Sequence, residues 1–254
     1  MNVSDSKQLI AADLETLALL LNTYGIGKNI NVVYDASANC KNDSTDDFYK
    51  YSLEELNFDI SSMSHTIPTE AILLTVSISL HIEGRYIDKA SLFNPLNNLQ
   101  VDIICRGSKN EINDLVSAWH LDRHEAINQG GIEEGENKFF HPMYHLTFGG
   151  KNMWAFGMDN FGSSLIYPSP RLVHLPLDAA LAIDFVIRNF IPLEERFGLM
   201  NDNEYKRIIS NSQLRIWRPF LQGMLEHWNY LDPYLNKEGA NTNTTLYLPN
   251  LVLQ

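Results

Sequence analysis

The sequence predicts an α+β fold, in which a modest, mainly antiparallel sheet packs against an N-terminal helix and a C-terminal group of helices. Three observations predict it. Apolar residues recur at helical spacing near the N-terminus, alternate with period two in the middle of the chain, and return to helical spacing after residue 176. At 254 residues, the chain is expected to form one domain over 1–254.

The first sixty residues begin with a helical pattern. Leucines at helical spacing over 5–22 predict an amphipathic helix, which Gly25 and Gly27 end. A short strand-forming run follows at 30–34. We expect 35–60 to be a mobile, acidic loop region, because its polar first half has little to bury.

The middle of the chain alternates between apolar and polar residues. Residues 71–82 predict a long, half-buried strand whose polar side carries His81, and 99–105 and 138–148 predict two further strands. Between the last two, 111–127 return to helical spacing, and we expect a helix there.

The C-terminal part, 176–232, is predicted to be helical. Residues 177–190 are apolar nearly all round, which indicates a central buried helix. Two further helices are expected at 204–217 and 219–231, followed by an irregular tail over 233–254.

Charge and cysteine content restrict the class of protein. The net charge of −12 disfavours general binding to nucleic acid or to an anionic membrane surface. Cys40 and Cys105 have no metal-type or redox-type spacing, which fits reduced thiols. No N-terminal signal pattern and no apolar run of about 18 residues occur. We therefore expect a cytoplasmic protein with no membrane partner.

Five of the eight histidines are concentrated between residues 120 and 174, and imidazole is the side chain most used for metal ligation. They are His120, His124, His141, His145 and His174. On the predicted helix, His120 and His124 are four residues apart and share one face, where both could reach one ion.

A third ligand for that ion could be any of the other three histidines, Asp122 or Glu125. His141 and His145 cannot both bind one ion directly, because two pleats separate them by about 13 Å. Leu121 stands where the zinc-protease signature needs a glutamate, which excludes that family.

Two groups of charged residues could also be functional. Asp184 and Arg188 lie four apart on the apolar helix, and are either paired within it or part of a network reaching Arg171 or His174. Four basic residues could hold a small anionic ligand or simply form a solvated helix face. They are Lys206, Arg207, Arg215 and Arg218.

Complete catalytic motifs of several enzyme classes do not occur in the sequence. No nucleophile elbow, phosphate-binding loop or dinucleotide glycine motif is present, and Gly162-Ser163-Ser164 lacks the second glycine of the elbow. Serine hydrolases, NTPases and Rossmann oxidoreductases are therefore disfavoured.

In element order alone, the chain resembles ubiquitin-conjugating-enzyme and RWD-like folds, which run helix, meander, Pro-rich crossing and helices. The crossing here is Tyr167-Pro168-Ser169-Pro170-Arg171. His141-Pro142 lacks the asparagine that such enzymes place next, and no cysteine follows. The resemblance implies a binding module without transfer activity.

Our leading hypothesis is an accessory or assembly subunit that acts by binding a protein partner or by self-association, with no cofactor. An aromatic, glycine-interrupted segment would supply the partner surface, with Trp154, Phe156, Phe161 and Tyr167. The alternative is a hydrolase or nuclease dependent on zinc or manganese. In it, histidines hold the ion, and Asp122 or Glu125 orients or activates water.

Overall fold

The structure, a computed structural model, describes residues 6–60, 73–86, 95–109, 113–123, 143–150, 153, 160–161, 164–165 and 172–231. These residues confirm the predicted α+β fold, in which an antiparallel sheet is preceded in the chain by N-terminal helices and followed by C-terminal helices. The predicted tail over 233–254 and the Pro-rich crossing before Leu172 lie outside the described residues.

Two helices precede the sheet. α1 (Lys7–Thr23) confirms the predicted N-terminal helix and buries its leucine side in the core. α2 (Asn31–Asp43) packs against it, with the Ser37 hydroxyl donating to the Ala11 carbonyl oxygen at 2.9 Å.

The loop region predicted over 35–60 and the strand-forming run at 30–34 are wrong. Val33, Ala36 and Cys40 recur at helical spacing and are fully buried against the core, so packing stabilises α2 despite its polar composition. The second half of the predicted loop forms the first strand.

The strands of the described residues are β1 Phe48–Asp59, β2 Leu73–Arg85, β3 Leu96–Lys109, β4 Asn113–Arg123, β5 Tyr144–Phe148, β6 Asn160–Phe161, β7 Ser164–Leu165 and β8 Leu172–Val173. Six of them form one antiparallel sheet in the order β1-β2-β3-β4-β5-β8, and β6 pairs with β7 in a separate hairpin. The predicted strands at 71–82 and 99–105 correspond to β2 and β3.

The helix predicted over 111–127 is wrong, because the described part of this segment is β4. This strand pairs with β3 on one side and β5 on the other. Leu121 is buried in the main core, whereas Val116 and Ala118 pack with Met153 on the opposite side of the sheet. With apolar residues buried on both sides, the strand lacks clean alternation, and its spacing imitates a helix.

The C-terminal helices cover the apolar side of the sheet. They are α3 Ala179–Phe190, α4 Leu193–Asn201, α5 Asn203–Ser212 and α6 Arg218–Leu231, with a π-helical turn at Gln213–Trp217. As predicted, α3 is buried almost throughout. The π-helical turn precedes Pro219, which lacks the N–H that a continuous α-helix would use.

The main hydrophobic core lies between these helices and the side of the sheet that carries Val76, Ile78, Val101, Ile103 and Leu121. Successive residues of a strand point to opposite sides, so the residues that alternate with these five along the strands form the other side of the sheet. We call it the polar face, and it positions the candidate site. None of the described helices is both long and apolar enough to cross a membrane.

Candidate functional site

The polar face carries eight polar side chains in two rows that cross β2, β3, β4 and β5. Strand register aligns each row, since residues opposite one another on paired strands project to the same side. The first row is His81, Gln100, Asp122 and His145, and the second row is Ser79, Asp102, His120 and Thr147.

Three of these residues converge at the β4–β5 end of the polar face. His120, Asp122 and His145 each offer one ligand atom, and these three atoms all lie within 4.8 Å of one another. The Nε2 atom of His120 lies 3.3 Å from Oδ2 of Asp122. The imidazole rings of His120 and His145 meet edge-on, with centroids 6.3 Å apart. We call these three residues the His–Asp cluster.

Burial is graded across the His–Asp cluster. His145 is 1% exposed, and the side chains of His120 and Asp122 are 17% and 28% exposed. The cluster is therefore enclosed on the β5 side and reachable by solvent on the β4 side.

Two imidazoles and a carboxylate form a donor set that suits zinc and other divalent transition metals. Zinc holds nitrogen and oxygen ligands at about 2.0–2.1 Å, so two ligand atoms on a tetrahedral ion are about 3.3 Å apart. The 3.3 Å between His120 Nε2 and Asp122 Oδ2 matches that separation. The third potential ligand atom, from His145, lies within 4.8 Å of the other two.

Two buried polar atoms beside the cluster have no hydrogen-bond partner among the described residues: Nδ1 of His120 and Oγ1 of Thr147. They belong to residues directly opposite one another on β4 and β5. An unsatisfied buried polar group costs about 1–3 kcal/mol, so two of them side by side need an explanation.

A glycine turn makes room for the His120 ring. Gly149 and Gly150 follow β5 with φ angles of 83° and 70°, and the Gly149 N–H donates to the Ala118 carbonyl oxygen at 2.8 Å. A Cβ atom on Gly150 would lie 2.9 Å from Cε1 of His120 and 3.3 Å from its Nδ1. The turn therefore holds backbone directly against the ring, where a side chain would displace it.

The structure brings together three of the residues that the sequence suggested as metal ligands or as the carboxylate that orients or activates water, but by a different route. His120 and Asp122 are two apart on a strand, and His145 lies opposite Asp122 on the next strand. The predicted pairing of His120 and His124 across a helical turn is wrong, because β4 extends to Arg123.

Other predicted ligands are elsewhere or outside the described residues. The Nδ1–H of His174 donates to the Leu175 carbonyl oxygen at 2.6 Å, and the ring packs edge-on against Phe185 of α3, which covers the apolar side of the sheet. His124, Glu125 and His141 lie outside the described residues.

The aromatic residues expected to form a partner surface are mostly not described. Trp154, Phe156 and Tyr167 lie outside the described residues, as does Arg171, and the backbone of Phe161 lies in β6.

The four basic residues do not share one environment. Arg215 is buried and pairs with Asp178 at 2.8 Å, whereas Lys206, Arg207 and Arg218 are exposed. Arg207 pairs with Asp13 at 2.7 Å and with Glu204 at 2.9 Å. At least two of the three guanidinium groups, those of Arg207 and Arg215, therefore already contact carboxylates of the chain itself.

Asp184 and Arg188 pair within α3, with Arg188 Nε donating to both carboxylate oxygens at 2.9 and 2.7 Å. The Tyr205 hydroxyl also donates to Asp184 Oδ1 at 2.9 Å. These contacts explain the pair as a structural link between α3 and α5.

Neither cysteine belongs to the His–Asp cluster. Burial raises the pKa of Cys40 to about 11 and that of Cys105 to about 12. Both thiols are therefore protonated near neutral pH and poor nucleophiles.

Sequence reasoning missed Asp102, Gln100 and Thr147 as neighbours of the cluster. Gln100 Nε2 donates to Asp102 Oδ2 at 2.8 Å, and Asp102 lies opposite His120. The available signal was a carboxylate between Val101 and Ile103, since a charge inside an apolar strand must face a polar environment.

Comparisons of the chain with protein-family models, curated proteins and solved structures find no match.

Proposed function

We propose that the protein binds one divalent transition-metal ion, zinc or manganese, through His120, Asp122 and His145. The observation that carries this proposal is the convergence of their three potential ligand atoms within 4.8 Å, on two paired strands of the sheet. Ligands on paired strands are held by backbone hydrogen bonds, so little entropy is lost when an ion binds.

The donor set and its burial support a reactive site rather than a closed structural one. Three protein ligands leave at least one coordination position for water, as in catalytic zinc sites. When bound, such an ion supplies a water of lowered pKa that can act as a nucleophile. We therefore propose a metal-dependent hydrolase as the activity of this site.

The surrounding residues suggest how the chain would assist that chemistry. Asp122 belongs to the ligand set, so it is not free to act as the base. Asp102 lies opposite His120 on the polar face, where its side chain accepts a hydrogen bond from Gln100. This adjacent carboxylate is therefore the better candidate for the base. The net charge of −12 favours a small substrate over a nucleic acid.

Metal titration of the full-length protein, purified without a tag, tests the proposal. Zinc and cobalt should each bind at one equivalent, and manganese or iron in the purified protein would be detected by elemental analysis. Replacing His120, His145 or Asp122 by alanine should weaken binding by more than about 100-fold, beyond the 10–100-fold typical of outer-sphere partners.

His81→Ala is the matched control, because His81 lies in the first row of the polar face but in β2, two strands from Asp122. It should bind zinc with wild-type affinity. Absence of any tight site in the wild-type protein, or an equal loss in His81→Ala, would contradict the proposal.

A second candidate function, protein–protein binding, is favoured by one observation on α4. Leu193 and Phe197 lie four apart on one side of this short helix and are 60% and 61% exposed. Large apolar side chains that share an exposed helix face are typical of interaction surfaces. A monodisperse monomer at all concentrations that recovers no partner from native lysate would count against this function.

A further inference from the structure

The structure assigns Thr147 as the positioning residue of the His–Asp cluster: its hydroxyl accepts the hydrogen bond from Nδ1–H of His120 when Nε2 of that ring carries the metal. This inference rests on the proposed metal site and adds the partner that fixes its ring. Thr147 was not among the residues that the sequence suggested.

The first step concerns the tautomer of His120. Its Nε2 atom faces Asp122 Oδ2 at 3.3 Å, the spacing of two ligands on one ion. A ring that binds metal through Nε2 carries its proton on Nδ1. Metal-binding histidines almost always donate this second N–H to a carboxylate, a carbonyl oxygen or water.

The second step concerns the acceptor. Nδ1 of His120 is buried and has no hydrogen-bond partner within the described part of the chain, and the same holds for Oγ1 of Thr147. The two residues are cross-strand neighbours, whose Cβ atoms lie about 4.5–5.5 Å apart. Rotation about the Thr147 χ1 bond changes the direction in which the hydroxyl points from the backbone, so the hydroxyl can turn towards Nδ1 of His120.

The third step concerns what else could satisfy these atoms. Thr147 is 2% exposed, which limits its hydroxyl to partners inside the protein. On the Nδ1 side of the ring, the glycine turn at Gly149–Gly150 brings backbone close and leaves no room for a side chain at position 150. Among the described residues, the Thr147 hydroxyl is the unsatisfied acceptor that lies opposite His120 on the paired strand.

The experiment compares Thr147→Val and Thr147→Ser in the full-length protein. Valine keeps the shape and removes the hydroxyl, whereas serine keeps the hydroxyl. Zinc affinity should fall about 10–100-fold in Thr147→Val and stay within about threefold of wild type in Thr147→Ser, in line with the usual effect of outer-sphere partners. Thr75→Val, on the same face in β2, is the matched control and should leave affinity unchanged.

The absorption spectrum of bound cobalt gives a second reading that a general loss of stability would not reproduce. It should differ from wild type in Thr147→Val and return to the wild-type form in Thr147→Ser. Wild-type affinity and spectrum in Thr147→Val, or equal losses in the valine and serine variants, would overturn the role of Thr147. Failure of the wild-type protein to bind metal would instead overturn the proposed function.

Discussion

Replacing Arg215 with methionine is expected to destabilise the fold by about 3–5 kcal/mol, the usual cost of removing one partner of a buried ion pair. Arg215 and Asp178 are 3% and 1% exposed, and Arg215 Nη2 lies 2.8 Å from Asp178 Oδ2. Asp178 also caps α3, accepting the Leu181 N–H at 3.0 Å. Without the guanidinium, this carboxylate would remain buried with only neutral hydrogen-bond donors.

The double variant Arg215→Met/Asp178→Asn separates the charge from the cap. Asparagine caps helices as well as aspartate does, and no charge then remains buried. We expect the double variant to be more stable than Arg215→Met alone and to lie within about 2 kcal/mol of wild type, because apolar replacements of buried pairs are often tolerated.

Urea unfolding followed by far-UV circular dichroism measures these differences. Lys28→Met is the control, since Lys28 pairs with Asp59 at 2.8 Å on the surface and should contribute less than about 1 kcal/mol. A cost for Arg215→Met no larger than that for Lys28→Met would refute the reasoning, as would a double variant less stable than the single one.

Three further predictions concern other parts of the fold. Gly150→Ala should cost about 1–2 kcal/mol, because φ is 70° and the new Cβ would crowd His120; an unchanged melting temperature would contradict this. Tyr205→Phe should cost about 1.5–3 kcal/mol through loss of the hydrogen bond to Asp184, measured as a shift in urea midpoint. Burial raises the pKa of Cys40 from 9.0 to about 11. The contribution of this thiol to the free energy of unfolding is therefore fully present below pH 9 and is lost as the pH rises towards 11. The alkaline fall in stability should therefore be shallower in Cys40→Ala than in wild type.

The elements that could be predicted from the sequence are those whose burial is one-sided or complete. α1 shows a leucine stripe, β2 alternates, and α3 is apolar nearly all round, so each pattern reports its environment directly. β4 could not be predicted from its pattern, because Val116 and Leu121 are buried on opposite sides of the sheet. α2 could not be predicted either, because small residues, rather than large ones, form its buried face.

The candidate site was partly accessible to sequence reasoning. Composition and spacing placed His120, Asp122 and His145 among seven candidates, which also included His124, His141, His174 and Glu125, since imidazoles and carboxylates are the residues that metals use. Their convergence depends on strand register, which pairs Asp122 with His145 and His120 with Thr147. Register arises from long-range pairing, so no local pattern in the sequence could reveal Thr147 as the neighbour of His120.

Anomalous diffraction at the zinc absorption edge, from crystals of the full-length protein grown with one equivalent of zinc, tests the central claim most directly. We predict one strong peak, at about 2.0–2.2 Å from a ring nitrogen of His120, a ring nitrogen of His145 and a carboxylate oxygen of Asp122. A peak at any other set of residues, with none at the His–Asp cluster, would contradict the account.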